Sequence, residues 1–286
     1  MASTEPQAER ELGAGDIPAA LQLSAAAGWN QIAGDWAYML ERGTGFGIAV
    51  AGELAATAIA LPYGPFGWIS MVLVRDDQRR RGFASQLLQR CMEHLRARGC
   101  VPAIDATPAG HPVHATAGFA DVWAMKRMRR MPATAPPPAA IAFAGVRPMR
   151  AGDRDAVARL DRATFGAERT PLLDHLRGRL PKAALVVERD GSIAGFLFGR
   201  NGRTAAQLGP LVADDLAAAR ALLDYVLPTQ AGPIVIDVPD AHPALAAWLA
   251  ERGFTVERPL TRMLYGRSEP FDRVRATFAI SGPELG

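Results

Sequence analysis

Arg79, Arg80, Arg81, Gly82, Phe83 and Ala84 form the segment of this chain best suited to chemistry, because three guanidinium groups run into a small-residue turn. Val72, Leu73 and Val74 precede it as the end of an apolar strand, and an amphipathic helix follows it. Leu87, Leu88, Cys91, Met92 and Leu95 share one face of that helix at 3.6-residue spacing, and Gly99 stands where a C′ glycine stops a helix. A strand, loop and helix in this order make an anion cradle. Small residues let the backbone approach the anion, and the helix N-terminus offers unpaired N–H groups at the positive end of its dipole. A Walker loop needs Gly-Lys-Ser/Thr at its end and a dinucleotide loop needs three glycines; neither is present.

The elements that position this loop occur twice along the chain. Ile104-Asp105 is followed by His111-Pro112, and Ile236-Asp237 by His242-Pro243. Gly118-Phe119 is followed nine residues on by Arg127-Met128, and Gly253-Phe254 nine residues on by Arg262-Met263. Each half also carries a hairpin signal upstream, around Gly52 and around Asp190-Gly191. Three matches in one order indicate a duplicated domain of a size that folds alone, not a solenoid. In the first half the pattern predicts helices over 16–42, a hairpin over 45–61 and strands over 67–74, 101–106 and 119–130. Helices over 82–98 and 111–117 lie between those strands. This alternation predicts an α/β fold of two tandem domains, each a mixed central sheet flanked by helices. The expected division is a flexible N-terminus (1–12), a first domain (13–131), a Pro-rich linker (132–140), a second domain (141–268) and a C-terminal tail (269–286).

Composition narrows the classes further. The 286 residues are 49% apolar, enough for one large core or two ordinary ones, and the formal charge of +3 is too small to single out nucleic acid as a partner. The two cysteines, Cys91 and Cys100, have neither metal-ligand spacing nor a disulfide framework, so no metal is expected. No secretory signal and no apolar run of membrane-spanning length is visible, which predicts a cytoplasmic protein without membrane contact, a monomer or a homodimer.

The Arg-x-x-Gly-x-Ala loop after a Val-rich strand resembles motif A of the GNAT N-acetyltransferases, and Gly118-Phe119 at the start of the closing strand is also similar to that family. The segments Trp29-Asn30-Gln31, Asp35-Trp36, Met71-Val72-Leu73-Val74 and Asp105-Ala106-Thr107-Pro108 resemble in particular the YitH-like tandem acetyltransferases. The resemblance implies an acetyl-CoA-dependent N-acetyltransferase acting on the amine of a small molecule or peptide. By it, Val72, Leu73 and Val74 line the pantetheine arm while Arg79 to Ala84 hold the pyrophosphate. Thr107 stands near a frequent asparagine of the family, and His114 at the place of a tyrosine that protonates the departing thiolate.

Amine attack on a thioester benefits from a base, since an alkyl amine of pKa near 10.4 is only about 0.04% free base at pH 7. Asp105, at the end of the strand beside the expected opening, is one candidate; the other reading makes it a cap of the loop that follows. Asp237 occupies the same place in the second half and favours that structural role. Trp29, Asn30, Gln31, Asp35 and Trp36 lie on the first helical region, which borders the acceptor cleft in related folds; Trp29 and Trp36, seven apart, also fit a core-facing stripe. In the second half the cradle is replaced by a segment carrying Asp214 and Asp215, whose charges oppose a pyrophosphate. One acetyl-CoA per chain is therefore expected, bound by the first half. A CoA-binding module without turnover, and a transferase using another acyl donor, stand as alternatives.

Overall fold

The computed structural model describes residues 6–132 and 145–286. The first half runs β1 (Gln7–Leu12), α1 (Ile17–Ala26), α2 (Ala33–Arg42), β2 (Thr44–Val50), β3 (Glu53–Pro62), β4 (Phe66–Val74), α3 (Phe83–Arg96), β5 (Val101–Ala106), α4 (His111–Thr116) and β6 (Phe119–Arg130). The second half repeats the order. It runs β7 (Val146–Pro148), α5 (Arg154–Phe165), α6 (Thr170–Arg179), β8 (Leu185–Arg189), β9 (Ser192–Arg200), β10 (Ala206–Ala213), α7 (Leu216–Val226), β11 (Ile234–Pro239), α8 (Pro243–Ala250) and β12 (Thr255–Tyr265). A last strand, β13 (Thr277–Ala279), has no counterpart in the first half among the described residues. The expected elements of the first half are present with nearly the expected limits. Most of the expected linker, residues 133–140, lies outside the described residues.

All thirteen strands join one mixed sheet in the order β1-β2-β3-β4-β5-β12-β6-β11-β10-β9-β8-β7, with β13 on β10. Helix α3 buries Leu87, Leu88, Cys91 and Leu95 against β2, β3 and β4, where the alanines of β3 leave room for a close approach. Helices α1, α2, α5 and α6 share a core drawn from both halves, and α7 and α8 cover the second half's strands.

The strand order departs from two self-contained domains. The closing strand of each half lies in the other half's territory: β12 pairs with β5, and β6 pairs with β11. The two exchanged strands pair with each other along most of their length. The repeated Asp and Arg of the sequence explain the exchange. Asp105 faces Arg262 across β5 and β12, and Asp237 faces Arg127 across β11 and β6. Arg262 Nε and Nη2 donate to the two Asp105 oxygens, both at 2.9 Å, and Arg127 donates likewise to Asp237, both at 2.8 Å. All four side chains are buried. Arg262 is also stacked between Trp68 and Trp123, 4.4 and 4.2 Å from their ring centres, and donates to Asp272 at 2.5 Å. Each half thus supplies the counterion for the other's carboxylate.

The described residues of both expected termini form structure as well. Gln7 to Leu12, placed in a flexible N-terminus by the sequence, pair with Gly45 to Val50 as an edge strand. The expected C-terminal tail is buried from Thr277 to Ser281 and contains β13; the side chains of that stretch are apolar or internally bonded.

Removing one member of a buried bidentate pair strands the other charge, at a cost of about 3–5 kcal/mol. Urea unfolding of Arg262→Met, followed by tryptophan fluorescence, should show a loss of that size, and adding Asp105→Leu should recover much of it. A loss below about 1 kcal/mol would show that the pair does not lock the strands.

Candidate active site

Strands β4 and β5 are parallel neighbours only from Phe66 to Trp68, which pair with Val101 to Ala103. Beyond Trp68 they diverge, and the edge of β4 from Ile69 to Val74 faces an open cleft of about 990 Å³. A bulge helps to open it: the pairing of β4 with β3 slips between Ile59 and Thr57, and Met71 sits there at φ +52°, a left-handed conformation rare for a residue with a side chain. Thr57 Oγ1 donates to the Met71 carbonyl at 2.9 Å and fixes the bulge from the β3 side.

One end of the cleft is the predicted cradle. Arg79, Arg80, Gly82, Phe83 and Ala84 line it together with Val72, Leu73 and Val74. Gly82 begins α3 at φ +85°, and no side chain caps the helix, so its first N–H groups are left for an anion. A Cβ built on Gly82 meets nothing within 4 Å, so the space over the loop is open. Arg79 is paired with Asp76 at 2.7 Å, whereas Arg80 has no ion pair or hydrogen bond among the described residues. Arg81 corrects the expectation: it is not part of the lining, and its guanidinium bonds Gln78 and packs over the Phe83 ring.

The middle of the cleft is bordered by Thr107, His114 and Asp105. Asp105 is not a free base, since both carboxylate oxygens are taken by Arg262; burial holds its carboxyl above the usual range even though Arg262 pulls the other way. Thr107 accepts from the Gly110 amide at 3.2 Å and shapes the turn before α4. His114 is buried against Phe119, with Nδ1 lacking a partner. Burial, with a smaller push from His111, lowers its pKa to about 4. At pH 7 about 0.1% of such a ring is charged, so the expected acid role cannot rest on an imidazolium.

Of the five residues assigned to the acceptor, Trp29 and Gln31 line the cleft. Of the other three, Asn30 and Asp35 tie the halves together, just before and in the first turn of α2, and Trp36 packs in the core. Asn30 accepts from the Thr204 and Ala205 amides and donates to the Ala205 carbonyl. Asp35 is ion-paired with Arg179 and Arg200, each at 2.8 Å; burial alone would raise its carboxyl, but the two cations and the Ile32 amide hold it low. Trp36 is fully buried, with Nε1 3.4 Å from Ser24 Oγ.

The far wall comes from residues the sequence did not assign to a site: Arg127, Arg258 and Leu260 on the exchanged strands, and Pro283 and Glu284 near the C-terminus. Glu284 Oε1 accepts from Gln31 at 2.8 Å and from Arg200, while Oε2 has no hydrogen bond among the described residues. No local pattern marks these positions as part of a site, because their placement follows from strand exchange and from the fold of the last segment.

The equivalent opening in the second half is filled. Strands β10 and β11 pair only from Ala206 to Leu208, and β13 enters the gap to pair with Leu211 and Val212. Ile280 N donates to the Asp237 carbonyl at 3.2 Å, so the inserted segment is bonded on both sides. Gly209 permits this approach, as a Cβ there would lie 1.9 Å from the Ile280 carbonyl oxygen. The N-terminus of α7 is also occupied: Asp215 accepts from Ala218 N at 2.8 Å and pairs with Arg189.

Among the described residues, no cluster of three His, Cys, Asp or Glu is placed to hold a metal, and no helix is long and apolar enough to cross a membrane. Two family models match, one described as the acetyltransferase (GNAT) family over residues 21–119 and one as an acetyltransferase (GNAT) domain over residues 157–279. The chain is similar to the uncharacterized N-acetyltransferase YitH of Bacillus subtilis, 24% identical over 87% of this chain and 88% of that one. In fold it is similar to a candidate acetyltransferase from Pyrococcus horikoshii, with a TM-score of 0.81, 19% identity and coverage of 98% of this chain and 96% of that one. It is also similar to a tandem GNAT protein from the clavulanic acid biosynthesis pathway, with a TM-score of 0.63, 15% identity and coverage of 92% and 100%.

The depressed His114 pKa has a stability consequence. The unfolded chain binds a proton near pH 6.5 and the folded one only near 4, so His114 destabilises the fold as pH falls through that window. About 3 kcal/mol is at stake between pH 7 and 4. His114→Gln should lose less stability than wild type on acidification from pH 7 to 4.5; parallel losses would show that His114 titrates normally.

Proposed function

Because this chain belongs to the GNAT acetyltransferase family, with one such domain in each half, we propose that it transfers the acetyl group of acetyl-CoA to the amine of a small molecule or peptide. One observation carries the reading: the chain holds a single open β4–β5 cleft leading to an uncapped helix N-terminus, while its counterpart is filled by β13. The first half is then the catalytic domain. The second is a degenerate domain that supplies the far wall.

The residues present fit the donor. Open space over Gly82, the free N–H groups of α3 and the unpartnered Arg80 suit a pyrophosphate. The unpaired β4 edge from Ile69 to Val74 suits an extended amide-bearing arm, which it binds as a sheet edge binds a strand. Bound acetyl-CoA supplies an activated acyl carbon and a thiol leaving group. The N–H groups of the same β4 edge are the donors available to the carbonyl oxygen as negative charge develops.

Glu284 is the group we assign to the acceptor amine. Its Oε1 is held by Arg200 and Gln31, but Oε2 has no hydrogen bond among the described residues, so it offers the cleft an acceptor for an ammonium N–H. His114 is neutral and offers a ring nitrogen for hydrogen bonding, not a charged acid. A thiol of pKa near 8.5 leaves without strong acid assistance, so this loss is tolerable.

Calorimetric titration with acetyl-CoA should give one site per chain, weakened roughly 3–10-fold by Arg80→Ala, the range for a single partly exposed charged contact. Two equivalent sites would overturn the assignment of the halves. Release of CoA in the presence of an amine panel tests turnover. Tight binding with no release for any amine would make the protein a CoA-binding module instead.

A further inference from the structure

The cleft is lined by five arginines, and three of them are neutralised. Arg75 is held by Glu53 and Asp77, Arg79 by Asp76, and Arg127 by Asp237. Only Arg80 and Arg258 lack an ion pair or hydrogen bond among the described residues. They stand apart: Arg80 belongs to the cradle before α3, whereas Arg258 lies on β12 directly across from Arg127. Counting from Thr261, which faces the last residue of β5, Arg258 is three residues further along β12, about 10 Å at the usual rise per residue. It therefore belongs to the far wall with Leu260 and Glu284, on a strand that β5 separates from β4, whereas Arg80 belongs to the loop that opens α3.

We infer that Arg258 binds a carboxylate of the acceptor, so that the substrate is an amine that also bears a carboxylate, an amino acid or a peptide with a free C-terminus. The half-buried Arg258 has its Nε enclosed without a partner, so an acceptor oxygen there satisfies a donor the chain leaves unmade. Burial, and then the nearby Arg127, lower its pKa, which means that the site favours an added negative charge. A carboxylate fits better than a phosphate. One guanidinium is free and its planar fork matches two carboxylate oxygens, whereas a phosphate dianion would call for a second free cation, and the neighbouring Arg127 is already held by Asp237. Arg258 gives the far wall a free cation for the carboxylate, and Glu284 Oε2, with Oε1 held by Arg200, leaves an acceptor for the ammonium end of a zwitterion.

This inference rests on the acetyl-transfer reading for the amine's fate but not for binding, so binding is measured separately. Glycine, β-alanine, lysine, glutamate and glycylglycine, each beside its carboxamide, are titrated into wild type, Arg258→Ala and Arg258→Lys with a non-reactive acetyl-CoA analogue present. The same pairs are assayed for CoA release with acetyl-CoA. At least one carboxylate should bind ten or more times tighter than its carboxamide. Arg258→Ala should erase that difference, raising KM for the carboxylate more than it lowers kcat, while leaving affinity for the analogue intact; Arg258→Lys should restore part of it. Equal binding of acid and amide, an unchanged preference in Arg258→Ala, or no binding of any acid would overturn the inference. Carboxylate binding that depends on Arg258 without CoA release would uphold it and overturn acetyl transfer alone.

Discussion

Two buried aspartate–arginine pairs, each joining the halves, are the constraint on which the rest of the structure depends. A buried charge without a counterion is costly, and neither half contains the counterion of its own carboxylate at the right place in the sheet. Asp105 is satisfied only when β12 lies beside β5 with Arg262 opposite, and Asp237 only when β6 lies beside β11 with Arg127 opposite. A slip of one residue in either strand would turn the guanidinium to the other face of the sheet, so the pairs set register as well as order. The continuous sheet, the shared core under α1, α2, α5 and α6, and the Asn30 and Asp35 contacts follow from that arrangement.

The same exchange builds the cleft. Where β4 leaves β5, the neighbouring floor is β12 and then β6, so Arg258, Leu260 and Arg127 border an opening that otherwise belongs to the first half. The two openings then differ by what fills them. In the second half, β13 bonds into the gap and Asp215 occupies the helix N-terminus, so the backbone and dipole features that suit an acyl-CoA are spent on the chain itself. The first half has no equivalent segment among the described residues, and its gap and helix N-terminus stay open.

Much of this was legible beforehand, and the reason is local. The α3 periodicity, the strand before it and the Arg79 to Ala84 loop depend on neighbours in sequence, and the repeated Ile-Asp and Arg-Met pairs exposed the duplication. The misassigned residues share a different feature. Arg81, Asn30, Asp35 and Trp36 are of types that do chemistry, but one packs over Phe83 and three bond or bury against groups distant in the chain. Residue type gives no indication of whether a counterion arrives from far along the chain. His114 illustrates the same limit: its position resembled that of a proton donor, yet enclosure against Phe119 removed the charge that the role required.

By itself the sequence determined the family, the α/β elements of each half and the Arg79 to Ala84 turn that opens α3, because each is encoded in a short run of spacing and residue type. Only the tertiary structure decided that the halves exchange their last strands, that Asp105 serves Arg262, and that a tail-like segment seals the second opening while placing Glu284 in the first. Those outcomes depend on which distant charges and strand edges find each other, and that choice is made by burial and by the cost of an unpaired group, not by any local pattern.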